Sequence, residues 1–307
     1  MLVYRGLDDP RLLPRPAAVA VGNFDGLHIG HRRILHRLCG LAGERGLRSL
    51  VLTFEPHPER ALGRRSVLMI DTPEGRLERL RRTCVDAVVL IPFDAAFARL
   101  GCREFVAEVL KDRLGAEEAV VGRGFRFGRD RRGDTSRLRA LGREAGLRVH
   151  IVPPAVVGGR TVSSTAVRRL LGRGRVEEAA RLLGRPYEVS GRVVSGRSRG
   201  RRIGFPTANL ETASEILPPG VFVTETVRGG RVHPSVTSVG TNPTFGPGPL
   251  SVETVLLDYR GSLYGSAITV RFLARLRPTR KFPGAGPLAA RIALDVAAAR
   301  AWFARRD

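Results

Sequence analysis

Residues 17–31 read AAVAVGNFDGLHIGH, and this stretch decides the fold of the first half of the chain. The run AAVAVG (17–22) is short, continuously apolar and ended by glycine, as a strand buried on both faces is. His31 to Glu44 then places Ile34, Leu35, Leu38 and Leu41 at helical spacing, and SLVLTF (49–54) is a second apolar run. Strand, helix, strand is the building unit of a parallel sheet. Its junction, Val21 to His31, puts Gly22 and Gly26 where a helix begins, and a helix start offers unpaired N–H groups and the positive end of a dipole to an anion. His28 and His31, three apart, fall on one side of the first turn. Alone, the pair is equally readable as capping or solvated histidines.

The rhythm continues outward. A helical stretch at Pro73 to Arg82, an apolar run at Ala87 to Ile91, a helix from Glu104 to Leu114, and runs at Ala119 to Gly122 and His150 to Pro153 predict a parallel sheet with helices on both faces. A helical pair follows in SSTAVRRLLGRGRVEEAARLLGR, with Ser163 or Ser164 as cap and Gly172 to Gly174 as its break. From Tyr187 the texture changes. EVSGRVV, GVFVTETV, SVETVLLDY and AITVRFLARL are β-branched, partly alternating and separated by Gly, Pro and Asn, which predicts antiparallel β in a small barrel. Pro287 to Phe303 reads as an amphipathic helix. The expected domains are therefore residues 1–184 and 185–307, consistent with a length of 307.

Composition excludes several classes. Hydrophobic residues at 43% and charged ones at 26% are an ordinary globular mixture, against disorder, collagen and coiled coil. Basic residues outnumber acidic by 52 to 29, a net +23, with Lys only at Lys111 and Lys281. Such a charge suggests a polyanion or phosphorylated partner, and equally a GC-rich coding bias toward Arg. The arginines run from Arg5 to Arg306 without a dedicated stripe and only 6% of residues are aromatic, which argues against a specialised nucleic-acid binder. Cys39, Cys84 and Cys102 are isolated and odd in number, so neither a disulfide framework nor a zinc site is expected and a reducing compartment fits. With no apolar leader at the start and no run of about 18 apolar residues, a cytoplasmic protein without a membrane partner is expected.

The string GNFDGLHIGH, Gly22 to His31, resembles the signature of the HxGH nucleotidyltransferases and is most similar to their FAD synthetase branch. SSTAVR, Ser163 to Arg168, resembles the second signature of that superfamily, and TFEPHP, Thr53 to Pro58, a further stretch. The resemblance implies a Rossmann-like fold in which Gly22, Asn23, Phe24, Asp25, Gly26, Ser163, Ser164, Thr165 and Arg168 hold the nucleotide. His28 and His31 would stabilise the charge that builds as pyrophosphate leaves. His57, Pro58, Phe125 and Arg126 would meet the flavin. There is one departure: where the family reads VGxDF or VGxNF, this chain has Val121, Gly122, Arg123, Gly124, Phe125, so the polar residue is replaced by Gly124. The motif resumes at Phe127, Gly128, Arg132, Gly133 and Asp134. Either the loop is retuned for another ligand pose or this half has lost part of its activity.

The β-rich half has no Walker loop. It contains SGRVVSGRSRGRRIGFPTANL, Ser190 to Leu210, where Gly196, Gly200 and Gly204 allow a loop whose amides and arginines, Arg199 among them, could wrap a triphosphate. Thr207 and Asn209 bring two hard oxygen ligands to one face of an extended segment, as Mg²⁺ bound with ATP phosphates requires. Glu253, between apolar strand residues, is a candidate base for a hydroxyl. RGRRIGFPTANL, LPPGVFV, SVGTNPTF, VETVLLDY, LYG and LRPTRKF occur in the order seen in riboflavin kinases, with Val255 where the family often has His. Resemblance thus covers nearly the whole chain and is to the bacterial bifunctional riboflavin kinase and FAD synthetase family. It implies a six-stranded barrel kinase, Mg²⁺ on Thr207 and Asn209, Glu253 as base, and Phe205, Pro206 and Asn242 beside ATP or flavin. Riboflavin, FMN, FAD and ATP are then the small-molecule partners of a monomer or weak homo-oligomer. Two rivals stay open: a kinase with a degenerate or retuned first half, and a basic nucleic-acid-binding protein.

Overall fold

The computed structural model describes residues 1–63, 67–195, 204–241 and 250–306. The chain divides into two compact units, Met1–Ser163 and Ser164–Asp307.

The first unit is built on a six-stranded, wholly parallel sheet: β1 (Leu2–Arg5), β2 (Ala17–Val21), β3 (Arg48–Glu55), β4 (Ala87–Pro92), β5 (Ala116–Gly122) and β6 (Arg148–Val152). Their spatial order is β1-β4-β3-β2-β5-β6. Every residue of β2 is buried because its two faces serve different cores. Val19 and Val21 pack with Phe105, Val109 and Leu138 on one side, while Ala18 and Ala20 pack with Leu35, Leu38 and Leu80 on the other. This is why the sequence shows a continuous apolar run instead of alternation. The helices α1 (Ile29–Arg45), α2 (Pro58–Ala61), α3 (Pro73–Arg81), α4 (Ala95–Arg99), α5 (Cys102–Glu104) and α6 (Thr135–Glu144) fill the connections. The helix expected from Glu104 to Leu114 is π-helical over Phe105–Arg113, a winding that the apolar spacing does not distinguish from α.

Because the chain winds from β2 through β3 and β4 in one direction and resumes at β5 and β6 in the other, the order reverses between β2 and β5. In open α/β sheets a ligand crevice lies at such a reversal, outside the carboxyl ends of the strands. The loops after Val21 and after Gly122 flank it. Cys39 and Cys84 form a disulfide, which corrects the expectation of three unpaired cysteines. Forty-five residues separate them in sequence, but α1 and the segment leading to β4 bring their Cα atoms to 6.2 Å. Cysteine usage therefore gives no argument for a reducing compartment. Cys102 is free.

In the second unit, α7 (Ser164–Gly172) and α8 (Val176–Leu183) precede a closed antiparallel barrel of β9 (Tyr187–Val194), β10 (Ala208–Glu211), β11 (Gly220–Arg228), β12 (Arg231–Gly240), β13 (Ser251–Leu256) and β14 (Ala267–Arg277), in the order β10-β13-β12-β11-β14-β9. Strand β12 contains Pro234, which hides it from propensity reading. The barrel interior carries Phe222, Phe272 and Tyr187, and beside them five fully buried hydroxyl residues: Thr224, Thr226, Ser235, Thr237 and Thr254. These bond one another: Thr224 to Thr237 at 2.8 Å, Thr237 to Thr254 at 2.9 Å, Thr226 to Ser235 at 2.9 Å and Ser235 to the Thr224 carbonyl at 3.0 Å. The helix expected at Pro287 to Phe303 is α9 (Ala285–Ala304). It lays Val296, Ala299, Trp302 and Phe303 over Val221, Val223 and Val236. The buried Asp295 carboxylate accepts from Arg277 Nη2 at 2.7 Å and from its Nε at 3.0 Å, which fixes the helix to β14. Among the described residues no helix is long and apolar enough to cross a membrane.

Candidate active sites

The first site is a tight loop between β2 and α1. Gly26 takes φ +80°, and a Cβ there would meet Ile70 Cδ1 at 2.9 Å, so only glycine closes this turn. Phe24 is fully buried behind it. His28 is the N-cap of α1: its Nδ1 accepts from the His31 N–H at 3.1 Å. A neutral imidazole accepting at Nδ1 carries its proton on Nε2, so capping makes His28 a donor at the far edge of its ring. The His31 ring stacks on it with centroids 3.6 Å apart and 14° between planes. Capping and donation are thus two ends of one side chain.

Asn23 and His57 meet at 2.9 Å between Asn23 Nδ2 and His57 Nε2. His57 also caps α2, accepting at Nδ1 from the Glu59 N–H, so its Nε2 bears the proton, and the Asn23 amide must be turned over to put its oxygen where Nδ2 stands. Asp25 is buried in the same loop. Its buried carboxylate accepts from the Ile70 N–H at 3.0 Å and the Asp71 N–H at 3.1 Å, tying the loop to the segment before α3. Sequence reading missed Arg76, which is 1% exposed. Its Nη1 donates to the Asn23 carbonyl at 3.2 Å and its Nη2 to Glu55 Oε2 at 2.6 Å, while Thr53 Oγ1 donates to the same carbonyl at 3.1 Å. A guanidinium therefore braces both motifs, and its only sequence signal was an Arg on the inward side of an amphipathic helix. Arg76→Met is expected to cost about 2 kcal/mol of first-unit stability in urea unfolding, below the ~3–5 for a fully buried pair because Glu55 still reaches water. The barrel unit should be unaffected.

After β5, Phe125 and Phe127 stack at 5.6 Å, and Phe127 pairs with Gly133 to close the intervening loop. Arg126 is exposed. Asp134 caps α6, and the Arg137 N–H it accepts, helped by Arg126, holds its carboxyl below the usual range. A Cβ on Gly124 would meet nothing within 4 Å, and its φ is not positive. The fold does not require glycine at this position. Ser163 ends the first unit, while Ser164, Thr165 and Arg168 open α7 in the second.

The barrel site is set by register. Asn209 on β10 lies directly opposite Glu253 on β13, and Glu253 lies opposite Ser238 on β12. Ala208, Leu210, Val252 and Thr254 are buried inward, so Asn209 and Glu253 project together from the outer face, both half-buried. Thr207, two residues before Asn209, is also half-buried. Ser251 Oγ lies between the Gly240 carbonyl at 3.1 Å and Glu253 Oε1 at 3.4 Å, with one proton to share between them. Two neutral oxygen donors beside a carboxylate suit a hard divalent cation carried by nucleotide phosphates. Gly204, Phe205 and Pro206 lead into this strand. Gly196, Arg199, Gly200 and Asn242 lie outside the described residues.

A parallel α/β unit with stacked, donor-bearing histidines at a strand-to-helix crevice, followed by a barrel with an acid opposite an amide, defines an enzyme of nucleotidyl and phosphoryl transfer. The sequence matches the FAD synthetase family over residues 11–166 and the riboflavin kinase family over residues 183–303. A protein of Pseudomonas fluorescens, named bifunctional riboflavin kinase/FMN adenylyltransferase, is 37% identical over 98% of this chain and 97% of its own. The protein of that name from Escherichia coli K12 is 36% identical over 99% and 98%. A crystal structure from Streptococcus pneumoniae, described as a macrolide-efflux protein, superposes with a TM-score of 0.87 at 30% identity, covering 98% of this chain and 99% of that one. The chain belongs to the bifunctional riboflavin kinase/FAD synthetase family.

Proposed function

We propose that the chain makes FAD from riboflavin in two steps, each in its own domain, with residues 185–307 as kinase and 1–184 as adenylyltransferase. In the first step the 5′-hydroxyl of riboflavin gives its proton to Glu253 and its oxygen bonds the γ-phosphorus of ATP as the bond to ADP breaks, yielding FMN. Thr207 and Asn209 would hold Mg²⁺, which when bound neutralises phosphate charge. In the second step a phosphate oxygen of FMN bonds the α-phosphorus of another ATP and pyrophosphate leaves. His28 Nε2–H and His31 donate to the oxygens on which charge collects, and no covalent enzyme intermediate forms. Ser163, Ser164, Thr165 and Arg168 are assigned to the nucleotide, His57, Pro58, Phe125 and Arg126 to the flavin, in a cytoplasmic enzyme acting as monomer or weak oligomer.

The observation that carries this reading is the direct opposition of Asn209 and Glu253 across β10 and β13, which sets an amide and a carboxylate on one face. Riboflavin with ATP should give FMN and then FAD by chromatography. FMN alone would restrict the chain to kinase activity, and neither product would overturn the proposal. The open space at Gly124 favours a retuned loop over a damaged one. Gly124→Asn should leave the melting temperature within about 2 °C and raise kcat/KM for FMN by about 2–10-fold, the worth of one recovered hydrogen bond. An unchanged kcat/KM would mean that the loop does not meet the flavin.

A further inference from the structure

A cavity of about 940 Å³ opens in the first unit, lined by Lys111, Glu117, Arg139, Arg143, Gly146 to Val149 and His150. It is not part of the crevice described above. Arg148 is the first residue of β6, Glu117 the second of β5, and Lys111 lies in the π-helix before β5, so the cavity sits at the amino ends of the strands. The nucleotide crevice lies at their carboxyl ends.

Its charges are arranged to leave a cationic surplus. Glu117 is answered from α1 by Arg45 Nη2 at 3.3 Å. Glu118, buried and outside the lining, takes Arg45, Arg148 Nε at 2.7 Å and His150 Nε2 at 2.7 Å, so the neighbouring acid is also engaged. Lys111 is held over the opening by donating from Nζ to the Ala116 carbonyl at 3.0 Å. Arg139 and Arg143 stand one turn apart on α6 and meet no acid among the described residues. Like charges at this spacing cost a helix a few tenths of a kcal/mol, and an anion between them reverses the sign. The floor is apolar: Leu147, which is 2% exposed, and the half-buried Val149. The volume is that of a cofactor-sized ligand.

We infer that this cleft is a second binding site of the first unit, taking a phosphate ester of a flat heterocycle, its phosphate between Lys111, Arg139 and Arg143 and its ring over Leu147 and Val149. ADP and FMN both have this chemistry, and the test separates them. Lys111 is one of only two lysines in the chain, so amine acetylation read by mass spectrometry reports on the cleft directly, against the same protein without ligand. ADP or FMN should slow Lys111 acetylation at least about five-fold in the full chain. The protection should fall below two-fold in Arg139→Glu/Arg143→Glu, with kcat for both reactions unchanged within two-fold. If circular dichroism shows that the double variant is unfolded, Arg143→Gln carries the comparison. Whichever ligand protects names the source. Equal labelling with and without both ligands, or protection that survives the substitutions, overturns the site.

Discussion

Glu253→Gln is expected to lower kcat for FMN formation by about 10²–10⁴-fold, the range lost with a general base, with the barrel as stable as before. The separation follows from where the residue sits. Its neighbours Val252 and Thr254 fill the interior, while Glu253 itself projects from the outer face, half-buried, with Ser251 at 3.4 Å. Glutamine has the same size and keeps an oxygen for Ser251 to donate to, so neither packing nor the cross-strand opposition to Asn209 changes. What disappears is the ability to take a proton. KM for ATP should stay close to wild type, and FAD formation from supplied FMN should be untouched. Wild-type turnover in the variant would show that the hydroxyl proton leaves by another route.

His28→Asn separates two roles that His28 combines. Because Nδ1 caps α1 and the opposite nitrogen donates, alanine would remove both and lose about 1 kcal/mol of helix stability along with the rate. Asparagine is a good cap and supplies an oxygen near the position of Nδ1, but it has nothing where Nε2 stood. The variant should melt within about 2 °C of wild type while FAD formation from FMN and ATP falls about 10²–10³-fold, as when a single donor to a developing charge is removed. Kinase activity provides the control in the same tube. Full adenylyl transfer by His28→Asn would reduce His28 to a capping residue.

The parallel sheet was legible because both faces of its strands are buried, which turns β2 and β3 into unbroken apolar runs. Four of the barrel strands were visible for the opposite reason: one side of each, such as Phe222, Thr224 and Thr226 in β11, faces a core and alternates with the other. Strands β10 and β12 were not seen as strands, the first having four residues and the second an internal proline. Local motifs gave His28, His31, Asn209 and Glu253, but nothing local could reveal that Asn209 and Glu253 are opposite, since 44 positions separate them and only barrel closure aligns them. The same limit hid the Cys39–Cys84 bond and the Arg76 brace. Nor does the motif position of Asp25 reveal that its carboxylate holds two backbone amides.

The hydroxyls inside the barrel have a direction. A hydroxyl has one proton to give: Thr237 gives its own to Thr254, so the proton between Thr224 and Thr237 belongs to Thr224. Thr254 in turn faces the Val236 carbonyl at 3.4 Å. Ser235 gives to the Thr224 carbonyl, so Thr226 supplies the proton between itself and Ser235. A 2.8 Å contact between the Thr224 and Ser235 hydroxyls joins the two runs, so they form one connected network that ends on main-chain oxygens. Replacing Thr226 with valine deprives Ser235 of an incoming bond, whereas replacing Thr224 removes contacts to both Thr237 and Ser235. Loss of Thr254 strands the buried Thr237 O–H, at about 1–3 kcal/mol. Mutational tolerance in this interior therefore follows position in the hydroxyl network, and positions of identical burial and residue type are not equally free to change.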